Sequence, residues 1–225
     1  MKKIGKMNEI AWVLGIVLCA LGVCLSTKAD FGLSMIAAPA YILHVGLVKV
    51  FPWFSQGTAE YVFQGALLIL LCIAVQKFRL RYLLSFGTAI LFGLALDLWF
   101  VVFGGNGAYE ETSLRIAAFV LGTLITGLSI AFFFRTKLPQ EIYELFVTEL
   151  STRYGWKSTR VKQIFDFSCL ALSLVLAFFV NRSLEGIGIG TVIVTIVNAS
   201  VIALFGKGLD KLFIFDSLVT KKDRQ

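Results

Sequence analysis

Six stretches of this chain, 10–27, 58–76, 82–103, 114–134, 162–180 and 188–206, are almost wholly apolar. A helix rises about 1.5 Å per residue and the hydrocarbon core of a bilayer is about 30 Å thick, so runs of about twenty apolar residues can cross it. Composition agrees. The chain is 58% apolar and 16% charged, with a mean hydropathy of +0.84, where a soluble domain is about 45–50% apolar and about 25% charged. A soluble enzyme, a disordered tail and a secreted disulfide scaffold are excluded. The expected fold is all-α, a polytopic membrane helical bundle with six transmembrane helices. A seventh apolar run, 33–48, carries Pro39 and His44 between Gly32 and Pro52. It reads as a broken, re-entrant or interfacial helix rather than a span.

Basic residues set the expected orientation, because cytoplasmic loops of membrane proteins are rich in Lys and Arg. With six spans, one side holds 17 of the 21 basic residues and the other holds Lys28, Lys49, Arg115 and Arg182 (17 and 4 make 21). Both termini are therefore expected in the cytoplasm, with the acidic loop 104–113 outside. The net charge of +7 follows from this bias and from attraction to anionic lipid, so no nucleic-acid partner is implied. The first apolar run is too long for a signal peptide and lacks a small-residue cleavage site, so it is kept as a span. Residues 207–225 read as a basic amphipathic tail on the inner leaflet. Cys19, Cys24, Cys72 and Cys169 are dispersed within spans and read as packing residues. No metal or cofactor is expected.

The two halves resemble each other. VLG at 13–15 matches 120–122, Leu33-Ser34 matches Leu138-Pro139, and Thr58 and Thr159 each open a span. TAEYVFQGALLILL is set against TRVKQIFDFSCLAL with Gln64 opposite Asp166, and GTAI at 87–90 matches GTVI at 190–193. The shared order defines repeats at about 10–103 and about 114–206 within one membrane domain, 1–225. Three spans per repeat means that the second enters from the opposite face. Inverted repeats of this kind are common in secondary transporters, where solute binds near the midplane between them. Each repeat also has a helix break after its first span, around ADFGLSMIAAPAYILHVGL and KLPQEIYELFVTEL. Helix N-termini near Ser34 and Pro139 would aim N–H groups inward, which favours an anionic ligand group. The stretch 139–152 reads equally well as a surface amphipathic helix.

Carboxylates and amides within apolar spans are the candidate binding residues. A charged carboxylate at mid-bilayer costs at least about 2.5–3.5 kcal/mol, so it is retained for a reason. Asp97 lies deep in the third span and Asp166 about a turn into the fifth. Either could bind a cationic group or carry a proton. Gln64, Asn198, Thr88 and Thr191 are expected to line the cavity, with Ser34 and Glu141 at the two helix breaks. His44, the single histidine, reads as packing or surface. There is no HExxH, CxxC or Walker loop, and GIGIG at 186–190 lacks the context of a dinucleotide site. The chain is not expected to be an enzyme.

Ala29, Gly32, Ser34, Pro39, Tyr41 and Leu43, followed by Gly93 and Asp97, resemble the YczE/YitT-type family of bacterial integral membrane proteins. So do Leu138, Pro139 and Glu141, Asp166, and the run Gly188, Gly190, Thr191 and Val192. One departure is Gln64, where that family often carries an Asn. The resemblance spans about 10–206 and implies a bacterial cytoplasmic-membrane protein, often associated with solute transport.

The expected function is a secondary transporter or facilitator of a small polar solute. The rivals are a substrate-binding subunit of a vitamin importer, docked through the four-residue spacing of Gly15 with Ala11 or Cys19, and a non-transporting module that supports a partner assembly. Besides the solute, the expected partners are the lipid bilayer and a second copy in a homodimer.

Overall fold

Apolar residues occupy nearly every face of the long runs, so their backbone groups must be paired within the segment, and helices result. The computed structural model describes residues 8–136, 138–181 and 185–213. The helices are α1 (Asn8–Ala29), α2 (Ala38–Leu47), α3 (Gln56–Val75), α4 (Leu80–Val102), α5 (Thr112–Phe133), α6 (Ile142–Tyr154), α7 (Ser158–Leu176) and α8 (Ile189–Leu212). A π-helical turn, Ala177–Asn181, extends α7. Six of these, all but α2 and α6, are long and apolar enough to span a membrane. The order long, short, long, long occurs twice.

Local chemistry sets the ends. Pro39 opens α2, where its missing N–H is not needed. The Ser55 hydroxyl accepts the Thr58 N–H at 2.9 Å and caps α3. Gly155 closes α6 in the left-handed conformation. Two spans run longer than their apolar cores. Nothing in Ser158-Thr159-Arg160 breaks a helix, so α7 begins at 158 rather than 162. In α8, Lys207 and Lys211 continue the helix to Leu212, since lysine stems lie along apolar surface while their ammonium groups reach water. Residues 207–212 of the expected tail are thus helix, and 214–225 lie outside the described residues.

The bundle is built on α1 and α5, which pack along most of their length. Gly22 and Gly122 face each other at their crossing, where a Cβ on either would meet the other's carbonyl oxygen at 2.9 Å. α4 packs on α1 and α8 on α5. α6 packs on α3 and α2 on α7. Exchanging the first four helices with the last four maps these contacts onto one another. Two pairs break the pattern: α3 packs tightly on α4 and α4 also touches α6, whereas among the described residues α7 does not pack on α8, nor α8 on α2. Gly57 and Gly93 explain the close pair, since each would place a Cβ against the other's carbonyl. The start of α7, Lys157-Ser158-Thr159-Arg160, has no glycine to allow such an approach.

The cysteines lie where packing residues belong: Cys19, Cys24 and Cys169 are buried in apolar clusters, and all four are free thiols. The small-residue face Ala11, Gly15 and Cys19 is internal. Ala11 and Cys19 are buried, and Gly15 faces the Phe133 ring. It is not available to dock a partner. The outward surface carries Leu98, Val101, Phe178 and Ile196, all well exposed, as a lipid-facing surface would.

Candidate functional site

α6 is not a surface helix. The Ile142 N–H donates to Gln64 Oε1 at 3.1 Å, the Tyr154 hydroxyl donates to the Ala74 carbonyl at 2.8 Å, and Glu149 pairs with Arg79 at 3.4 Å. These contacts lay α6 along α3 from its middle to its end. Gln64 sits eight residues after Gln56 and eleven before Val75, or about 12 Å and about 16 Å along the axis. The start of α6 is therefore at mid-span, and residues 138–141 reach it as irregular chain.

Irregular backbone at that depth persists only when the protein satisfies it. Two side chains do so at Pro139, whose carbonyl accepts from Trp12 Nε1 at 2.8 Å and from the Thr88 hydroxyl at 3.1 Å. Gln140 Nε2 donates to the Phe133 carbonyl at 3.0 Å. Gln64 uses both ends of its amide, because Nε2 also donates to Glu141 Oε2 at 3.0 Å.

Two carboxyl groups meet here. Glu141 is 4% exposed and Glu60, one turn before Gln64 on α3, is 1% exposed. Glu60 Oε2 accepts from the Tyr143 hydroxyl at 2.9 Å, while its Oε1 has no partner. Among the described residues, no basic side chain bonds to either. Burial pushes the Glu141 carboxyl well above the usual range, with the charges of Glu144 and Glu60 adding to it and the Gln64 bond opposing. Burial likewise raises Tyr143, which keeps its phenol a donor. Burial also raises the Glu144 carboxyl, with the charge of Lys162 opposing. The first N–H of α6, that of Ile142, is occupied by Gln64. The expectation of an anion at this helix N-terminus is not met, because acids already line it.

Of the residues singled out from sequence, Gln64, Glu141 and Thr88 come together at this point. The others lie elsewhere. Asp97 caps α3: Oδ1 accepts the Gly57 N–H at 2.9 Å and Oδ2 the Ser55 hydroxyl at 2.6 Å. Asp166 pairs with Lys162 at 2.8 Å on the partly exposed side of α7. It does not stand where Gln64 does. Counted without a gap from Thr58 and Thr159, that place falls to Phe165, which is buried against Tyr143 and Phe146. Thr191 caps α8, its hydroxyl accepting the Gly188 N–H at 3.3 Å. The Ser34 carbonyl accepts the Ala37 and Ala38 N–H groups at the start of α2. Asn198 faces Gly127 of α5, and its Oδ1 is buried without a partner.

The motif glycines have a backbone role. Phe31 O accepts the Gly190 N–H at 2.7 Å and Gly186 O accepts the Leu33 N–H at 2.9 Å, clasping FGLS against GIGIG. Gly32, at φ 108°, would place a Cβ 2.5 Å from the Gly188 nitrogen. His44 is buried at a second clasp, with Nδ1 2.8 Å from the Phe54 carbonyl and Nε2 2.9 Å from Asn106 Nδ2.

Glu60, Tyr143 and Trp12 were not singled out from sequence. Glu60 had a signal, an acid inside an apolar run, but headgroups tolerate an acid so near a span's start. Only the entry of α6 encloses it.

Fold and site together define an all-helical protein with six membrane-capable helices and a buried acidic centre. The chain belongs to the family of unknown function DUF6198, which it matches over residues 6–207. It is 26% identical over 211 residues to the uncharacterized protein YyaS of Bacillus subtilis (strain 168), covering 92% of this chain and 96% of that protein. Neither match names the YczE/YitT type that the motifs resemble. No solved structure matches.

Proposed function

We propose that this protein is a secondary transporter or facilitator of a small polar solute in the bacterial cytoplasmic membrane, with both termini in the cytoplasm. The solute binds at mid-membrane where α6 meets α3. The observation that carries this reading is the pair Glu60 and Glu141, buried with only neutral partners. Uncompensated buried carboxyls are costly, and a site that exchanges protons or a ligand gives a reason to keep them.

The architecture we propose is two inverted repeats, α1–α4 and α5–α8. The exchange of helix contacts between the halves supports it, as does the sorting of basic residues, of which Lys2, Lys3, Lys6, Lys137, Arg182, Lys221, Lys222 and Arg224 lie outside the described residues. The packed α3–α4 pair and the separated α7–α8 pair fit two repeats in different arrangements, as alternating access requires. α7 and α8 are the least buried spans and would supply the contact in a homodimer.

The test is uptake by purified protein in proteoliposomes. The panel is radiolabelled amines, amino acids, organic acids and vitamins, against empty vesicles and against Glu141→Gln. Accumulation of one solute class by the wild type, lost in the variant, supports transport. No uptake of any solute by protein that is folded and correctly reconstituted overturns it and favours a partner-supporting module.

A further inference from the structure

Gln56, Glu60 and Gln64 fall at every fourth position of α3 and form one stripe, each at most 1% exposed. Their polar atoms do not balance. Gln64 has both ends of its amide engaged, Nε2 by Glu141 and Oε1 by Ile142. Gln56 Nε2 donates to the Thr27 hydroxyl at 3.1 Å, and that hydroxyl donates to the Val23 carbonyl at 3.0 Å. Glu60 Oε2 is taken by Tyr143. The two atoms left over, Gln56 Oε1 and Glu60 Oε1, are both acceptors.

Buried polar atoms in folded proteins are almost always paired, so a specific unpaired set marks a missing partner. Here that partner must donate hydrogen bonds. It must also suit a carboxylate, which calls for positive charge. Side chains one turn apart on a helix have Cβ atoms about 5–6 Å apart, a gap that a single small group can bridge. A primary ammonium brings three N–H donors and one charge. A hard metal cation wants about six oxygen ligands, and two free oxygens are too few. Among the described residues no acid, histidine and cysteine cluster could hold a metal ion.

We propose that Gln56 Oε1 and Glu60 Oε1 form a binding site for the protonated amino group of a small primary amine. This deepens the transport reading and rests on it by naming the solute class. The amine's N–H groups donate to both oxygens, and Glu60 balances its charge. Tyr143, bonded to the other carboxylate oxygen, positions Glu60 without meeting the amine. Quaternary ammonium ions, which have no N–H, are excluded by the same chemistry.

The test uses the full-length protein in detergent at pH 7.5 and constant ionic strength. Methylammonium chloride is titrated against tetramethylammonium and sodium chlorides while thermal unfolding is followed. Methylammonium is expected to raise Tm saturably, and the other two are not. Glu60→Gln removes the charge. Gln56→Leu removes one of the unpaired oxygens together with the Nε2 bond to Thr27, so its own unfolding transition serves as the check that it is folded. Each variant is expected to weaken the methylammonium effect at least tenfold. No methylammonium shift, an equal shift with tetramethylammonium or sodium, or an unchanged shift in folded Gln56→Leu overturns the proposal. Uptake of a solute without an amino group, alongside absent methylammonium binding, would remove this inference and leave the transport reading standing.

Discussion

Gln64 and Glu141 meet at mid-span, the amide of one donating to the carboxyl of the other at 3.0 Å, while the same amide accepts the Ile142 N–H at 3.1 Å. One side chain thereby fastens the tip of α6 to α3. It satisfies a helix N-terminus that water cannot reach and fixes where Glu141 and Tyr143 sit.

Replacing Gln64 with Leu should release that tip. The Ile142 N–H and Glu141 would both lose a buried partner, at about 1–3 kcal/mol for each group. The expected outcome is a lower unfolding midpoint with faster amide exchange at 142–146, while α1 and α5 keep their protection. Exchange mass spectrometry in detergent reads both.

Glu141 should make stability depend on pH. Its carboxyl is raised in the folded state by burial and by neighbouring acids. The folded state therefore holds a proton that the unfolded state releases at about pH 4.3. Its contribution is full below that value and is lost as pH rises through the folded value. Wild-type protein is expected to lose stability as pH rises through that raised folded value, and Glu141→Gln to lose less. Chemical unfolding as a function of pH decides it.

His44 should act with the opposite sign and on the acid side. Burial lowers its ring below the usual value, against the Phe54 bond and the Asp97 charge, which favour protonation. The unfolded state takes up the proton first, near pH 6.5, so the clasp to Phe54 and Asn106 weakens as pH falls below that. Faster amide exchange at 51–55 and 104–107 between pH 7 and pH 5 is expected, and His44→Gln should abolish the pH dependence. Above pH 7 the ring is neutral in both states, so it adds nothing to the Glu141 measurement there.

Asp97 should behave as a cap. Removing both acceptors with Asp97→Ala is expected to cost about 1 kcal/mol, within the range of about 0.5–2 for lost helix caps, and to raise exchange at 56–59. Asp97→Asn retains an oxygen for the Gly57 N–H and should lie close to wild type in both stability and solute uptake. Uptake abolished in stable Asp97→Asn protein would instead put this acid in the transport path.

Hydrophobic run length is a one-dimensional property, and the chain's own sequence was enough to count six spans and to place two short segments between them. Intramembrane polarity was legible too: Gln64, Glu141 and Thr88 stood out as polar groups in or beside apolar runs. What those groups face is a different matter. Asp97 looks like a mid-bilayer acid until Gly57 and Gly93 bring α3 close enough to be capped by it. Glu60 looks like a headgroup acid until α6 folds inward and covers it. Asp166 is written beside Phe165, and helix rotation alone gives the buried place to the ring. Desolvation depends on which surfaces meet in three dimensions, so tertiary structure, not the order of residues, decided which acids became the centre of the protein.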